Sequence, residues 1–165
     1  MLAPDTSKSY KTAGGAAAHD RSMEPDRAPV RFDTKIAVLL RDDLLPWQRL
    51  NVTAFLVSGL GTVVPEVIGD PYEDASGVQY LSMFRQPVMV FAGGKELLQA
   101  AHTRAVSRHL PVSVFTSDLF ATTNDRDNRA AVRAVTTEQL DLVGLAVYGP
   151  RNAVDKVTKG ASMHP

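Results

Sequence analysis

Two polar corners in this chain have the residue types that chemistry needs. Arg41-Asp42-Asp43 closes the apolar run from Ile36 to Leu40 and leads into Pro46, Trp47, Gln48, Arg49, Leu50 and Asn51. Open α/β sheets gather ligands at the C-terminal ends of their strands, so this corner is a candidate binding site. On a helix, Asn51 stands one turn from both Trp47 and Phe55, which places an amide on an otherwise apolar face. Such an amide either ties down a loop from within the core or faces a cleft and holds substrate or water. The second corner, Thr116 to Arg129, is dense in hydroxyls, amides and charge. Part of it is explained by capping: Asn124 or Asp125 can cap a helix beginning near Arg126, and Asp125 and Asp127 suit its dipole. Thr116 and Asp118 are left over, and a carboxylate that orients water contributes roughly 10²–10⁴ in rate as a general base. These residues define one site on the condition that both corners share a hollow. Asn51, Thr116 and Asp118 are then its catalytic candidates, and Arg41, Asp42, Trp47, Gln48, Arg49, Asn128 and Arg129 its substrate-binding ones.

Other patterns fail. Gly59-Leu60-Gly61 begins like a dinucleotide loop, but Val64 stands where the last glycine belongs and the run follows a helix, not a strand. Gly93-Gly94-Lys95 lacks the leading glycine spacing and the hydroxyl of a P-loop; a helix N-terminus there could hold a small anion. His102 and His109 flank the apolar stripe of Leu98, Ala101 and Ala105, where packing is the expected role. No zinc-protease pair of histidines is present, and Ser58 lacks the glycine of a nucleophile elbow. No cofactor or metal is required, although Asp42, Asp43 and Asp118 could gather Mg²⁺ if they converged.

The elements that must position these corners follow from composition and pattern. With 165 residues, 44% of them hydrophobic, there is room for one packed domain and not two. Lys and Arg cancel Asp and Glu, so no overall field gathers phosphate polymers. The lack of cysteine removes disulfides, thiolate metal sites and cysteine nucleophiles. No apolar run approaches the roughly 20 residues of a membrane span, and no secretory signal is visible, so a cytoplasmic protein is expected. Residues 1–32 read as a disordered tail and 33–165 as a single α/β domain. Ile36 to Leu40, Val88 to Phe91, Val112 to Phe115 and Leu142 to Tyr148 are apolar without strict alternation, as strands buried on both faces are. Helices are expected at Trp47 to Gly59, with Gly59 as terminator, and at Lys95 to His109, Arg126 to Val135 and Pro150 to Lys159. This order predicts one mostly parallel or mixed sheet with helices on both faces. Gly61 to Phe84, with a turn at Asp74 to Gly77, predicts a hairpin-like insertion.

Leu40 to Leu44, Trp47 to Asn51, Tyr72 to Gly77, Gln86-Pro87, Leu119 to Thr122 and Val143 to Arg151 together resemble one family. It is the uncharacterised bacterial family called domain of unknown function two-thousand, and the resemblance runs from about Lys35 to Gly160. That family is similar in fold to type II peptidyl-tRNA hydrolases, which implies a three-layer sandwich with a mixed four-stranded sheet between helices. The hydrolase lysine position falls on Arg49, the glutamine position on Thr53, and the aspartate within Thr116 to Asp118. A guanidinium can hold a phosphate bidentately but will not readily give up a proton. The resemblance thus implies either a hydrolase of an ester or amide, on a small molecule or an aminoacyl- or peptidyl-tRNA, or a non-catalytic ligand-binding or assembly module. A homo-oligomer is an open alternative.

Overall fold

The computed structural model describes residues 30–165, so the expected tail lies almost wholly outside the described residues. The chain runs β1 (Thr34–Arg41), α1 (Pro46–Val63), the short pair β2 (Tyr72–Glu73) and β3 (Gln79–Tyr80), β4 (Val88–Gly93), α2 (Lys95–Val106) and β5 (Val112–Thr116). It continues through a 3-10 turn at Ser117–Ala121 to α3 (Asp125–Arg133), β6 (Leu142–Pro150), α4 (Arg151–Val157) and β7 (Ser162–Met163). The main sheet has the order β5-β6-β1-β4-β7. β1 pairs parallel with β4 and antiparallel with β6, and β6 pairs antiparallel with β5. The C-terminal ends of β1, β4 and β5 therefore lie at one end of the sheet.

The apolar runs become strands because both faces of the sheet are covered. On one face Ile36, Val38, Leu40, Ala146 and Tyr148 pack against Val52, Leu56 and Leu60 of α1. On the other, Ala37, Leu39, Leu145 and Val147 meet Leu98, Ala101 and Ala105 of α2 and Val154 and Val157 of α4. Burying each such Leu or Val contributes roughly 1.5–3 kcal/mol, and these two layers supply most of the cohesion. His102 is buried among the α2 contacts; loss of solvent lowers its pKa, so it packs as a neutral ring.

Two expectations are corrected. The sheet is mixed but has five strands, not four: β7 pairs Met163 with Phe91 and Ser162 with Ala92. Two residues are too few to leave a pattern in sequence. Gly59 also does not end α1, which runs on to Val63 and stops before Pro65. A Cβ on Gly59 would stand 3.2 Å from Ser113 Cβ, so this glycine marks a close approach of helix to β5 instead of a cap. The remaining helices and strands agree with expectation within a few residues at their ends. The insertion does form a hairpin, its turn held by Asp74 Oδ1 accepting from the Ser76 and Val78 amides at 2.8 and 3.0 Å. Among the described residues no helix is long and apolar enough to cross a membrane.

Candidate functional site

The first corner is occupied largely by its own structure. The Arg49 guanidinium donates to the carbonyls of Leu44 and Asp42, both at 2.8 Å, and stands 3.1 Å from His164 Nε2. Gln48 Oε1 accepts from the Leu45 amide at 2.9 Å and so serves the start of α1. Arg41 donates to Asp43 at 2.7 Å and to Asp141 at 3.1 Å, and Asp141 also pairs with Lys95 at 2.8 Å. These cations brace the loop carbonyls and carboxylates of the turn that follows β1. Arg49→Lys should accordingly cost about 1–3 kcal/mol in a urea titration, because an ammonium cannot span two carbonyls in a fixed fork. An unchanged midpoint would contradict this bracing role.

Asp141 holds the network together. Hydrogen bonding by Lys95, then by Ser117, and the charges of Arg41 and Lys95 bring its pKa down from 3.8 to about 2. A folded-state pKa below the unfolded value stabilises the fold fully above pH 3.8, and the contribution disappears as pH falls toward 2. Solvent reaches the pair, so the contribution is about 1 kcal/mol. Asp141→Asn should lower stability at neutral pH and flatten the acid limb over that window; a limb of unchanged slope in pH-resolved thermal unfolding would contradict the assignment.

The second corner folds over the first turns of α1. A cleft of about 510 Å³ opens between α1, the end of β5, the 3-10 turn and α3. Its apolar walls are Trp47, Phe55, Phe115 and Phe120. Trp47 meets Phe120 edge-on with ring centres 5.8 Å apart, Phe55 meets Phe115 likewise, and Phe115 lies 5.2 Å from Phe120. Edge-to-face contacts of this kind favour one relative arrangement of the rings and so shape the wall. The polar groups are Asn51, Thr122, Thr123, Asn124, Asp125 and Asn128. Asn124 is committed to capping α3, accepting from the Asp127 amide at 3.0 Å, as the sequence suggests. Thr122 Oγ1 bonds both the Leu119 carbonyl, at 2.9 Å, and the Asn128 side-chain amide, which ties Asn128 to the end of the 3-10 turn at the cleft's edge. Asn51 is exposed and makes no side-chain hydrogen bond to the described residues, so its whole amide faces the opening.

Of the ten residues singled out from sequence, Trp47, Asn51 and Asn128 come together here. Arg41, Asp42, Gln48, Arg49, Thr116, Asp118 and Arg129 do not line the cleft. Thr116 is buried, its hydroxyl without a hydrogen-bond partner, beyond a register shift between Phe115 and Thr116. Asp118 is exposed on the 3-10 turn, and Arg129 pairs with Asp125 at 3.0 Å. Among the described residues no three acidic or histidine side chains, Asp42, Asp43 and Asp118 included, group as metal ligands would. The aromatic walls escaped the residue-type search because Phe55, Phe115 and Phe120 carry no chemistry of their own. The signal for them was Phe55 one turn beyond Asn51.

The arrangement defines an α/β sandwich with a half-aromatic cleft, of a size for a small molecule, at one edge of its sheet. The chain belongs to the family described as Protein of unknown function (DUF2000), whose model matches residues 34–165. Among solved structures, a protein of unknown function from Agrobacterium tumefaciens is 44% identical and superposes with a TM-score of 0.79, over 82% of this chain and 100% of that one. A search of curated proteins returned no match.

Proposed function

We propose that this domain binds a small, uncharged, planar molecule in the aromatic cleft, as a ligand-binding module and not as a hydrolase. The supporting observation is the lining. Four aromatic rings supply the apolar contact, the free Asn51 amide offers a donor and an acceptor beside Asn128, whose Oδ1 is held by Thr122, and the one carboxylate, Asp125, is paired with Arg129. A ring with both donor and acceptor on its edge satisfies such a surface, whereas an anionic ligand sets its charge against rings and amides beside the Asp125 carboxylate.

Hydrolysis of an ester or amide, on a small substrate or an aminoacyl- or peptidyl-tRNA of the kind that peptidyl-tRNA hydrolases act on, needs a base within reach of water. Asp118 is the remaining candidate, and its carboxylate is not among the groups lining the cleft. A phosphate-rich partner also calls for basic groups at the site, and beside β1 Arg41 and Lys95 are neutralised by Asp43 and Asp141, while the arginines of α3, Arg126, Arg129 and Arg133, line a separate groove and not the aromatic cleft.

Thermal shift with a panel of neutral heteroaromatic compounds and their carboxylated analogues separates these readings. Compounds bound by the native state raise Tm by mass action. Neutral members should raise it and charged ones should not, and Phe120→Ala should abolish the response. Turnover of an ester, or of labelled peptidyl-tRNA, that disappears in Asp118→Ala would overturn the binding-only reading.

A further inference from the structure

We propose that the outer face of α3 is a docking site for a short acidic helix of another protein, whose carboxylates meet Arg126, Arg129 and Arg133 across a groove floored by Ala130 and Ala134. These five residues line a groove of about 440 Å³, and all of them are exposed. Spaced at i, i+3 and i+7, the three arginines stand in one row, spread over roughly 10 Å of helix. No carboxylate lines the groove. Asp127 takes Nε of Arg126 and Asp125 takes Nε of Arg129, each at 3.0 Å, which leaves the Nη groups of both arginines without a partner among the described residues. Arg133 pairs with no carboxylate among the described residues.

The helix is short of packing of its own. None of its nine residues is buried, and it rests mainly on the 3-10 turn at Ser117–Ala121. A helix of that length is marginal in water unless a face of it is packed. The fold half-covers the side that carries Asp127, Asn128, Ala131 and Val132, and the arginine row lies on the other. Charge and spacing select the occupant. Guanidinium forks pair carboxylates bidentately, and acidic residues at i, i+3 and i+7 of a facing helix repeat the spacing of the row. Ala130 and Ala134 let the two backbones approach closely, while the arginine stems add apolar contact. A nucleic acid fits less well, because no aromatic side chain lines the groove for a base to stack on. Asp125 before the row and Glu138 after it confine the basic stretch to about two turns, too short to follow a phosphate backbone. The aromatic cleft takes Asp125 and Asn128 from this helix and none of the three arginines, so the proposal does not depend on what the cleft binds.

Fluorescence anisotropy of the full chain with a labelled helix-forming peptide, carrying Glu at i, i+3 and i+7 on an alanine background, tests it. The peptide should bind, and a scrambled peptide of the same composition should bind about 10-fold more weakly or worse. Arg133→Glu should weaken binding by about 10-fold or more, because it sets like charges against each other across the contact. Arg133 is exposed, so circular dichroism should stay that of the wild type. A peptide with Lys in place of the facing Glu should bind Arg133→Glu more tightly than it binds the wild type. No binding of the acidic peptide, equal binding of the scrambled one, indifference to Arg133→Glu, or tighter binding of a single-stranded RNA that Arg133→Glu abolishes would each overturn the proposal.

Discussion

Gly144→Ala should destabilise the protein by about 1–3 kcal/mol and weaken ligand binding at a cleft the residue does not touch. Gly144 lies near the start of β6, between Leu40 of β1 and Phe115 of β5, facing α1. A Cβ built there would stand 2.6 Å from Val52 Cγ1 and 3.0 Å from Leu56 Cδ1, both on α1, and 3.4 Å from Leu40 Cδ2 on β1. Val52 and Leu56 are fully packed, so they cannot swing away, and the helix must rise off the sheet to admit the methyl group. α1 carries Trp47, Asn51 and Phe55, three of the residues around the cleft. A helix displaced by even part of an ångström separates Trp47 from Phe120 and moves the Asn51 amide relative to Asn128. Urea denaturation should show a lower midpoint at unchanged slope, together with a weaker thermal response to any ligand that raises the wild type. A stability equal to the wild type would mean that helix and sheet are not seated as closely as 2.6 Å implies.

Asn51→Leu should lower affinity for a neutral planar ligand by roughly 10–100-fold while leaving stability within about 0.5 kcal/mol. The two effects separate because the Asn51 side chain is exposed and bonds to none of the described residues, so the fold loses nothing when the amide goes. A ligand edge that had paired with it is left desolvated against a methyl group, which costs the free energy of an unmade hydrogen bond. Trp47→Ala should lose binding by a different route, through the edge contact with Phe120, and should affect ligands with and without polar edges alike. Isothermal titration of both variants with one polar and one apolar ring distinguishes them. If Asn51→Leu bound the polar ring as tightly as the wild type, the amide would have no part in recognition.

The sheet was legible because its strands are buried twice over. β1 and β6 present apolar side chains to α1 on one face and to α2 and α4 on the other, and runs such as Ile36 to Leu40 need no alternation to be recognised. β7 was not, since Ser162 and Met163 are strand only through pairing with β4, some seventy residues away. The end of α1 was misplaced for a related reason: Gly59 has the composition of a cap but answers to the proximity of Ser113. At the site, Trp47, Asn51 and Asn128 could be found by type and spacing. Arg41, Arg49 and Gln48 are of the right types, yet their partners were invisible, because Asp141 lies a hundred residues from Arg41 and the carbonyls of Asp42 and Leu44 leave no mark in a sequence. A side chain's commitment to its own backbone is set by the turn after β1, and residue type alone does not reveal it.

The central claim is that Asn51 and Asn128 form the polar edge of an aromatic cleft open to a neutral ligand. Side-chain amide spectra by ¹⁵N-resolved NMR, recorded as a neutral heteroaromatic compound is titrated in, test it most directly. The prediction is that the Asn51 and Asn128 side-chain amides and the Trp47 indole shift together at a single saturating concentration, with the Arg49 and Arg41 guanidinium signals unmoved. Shifts centred on Arg41, Lys95 and Asp118, with the two amides silent, would contradict it and move the site to the charged end of the sheet.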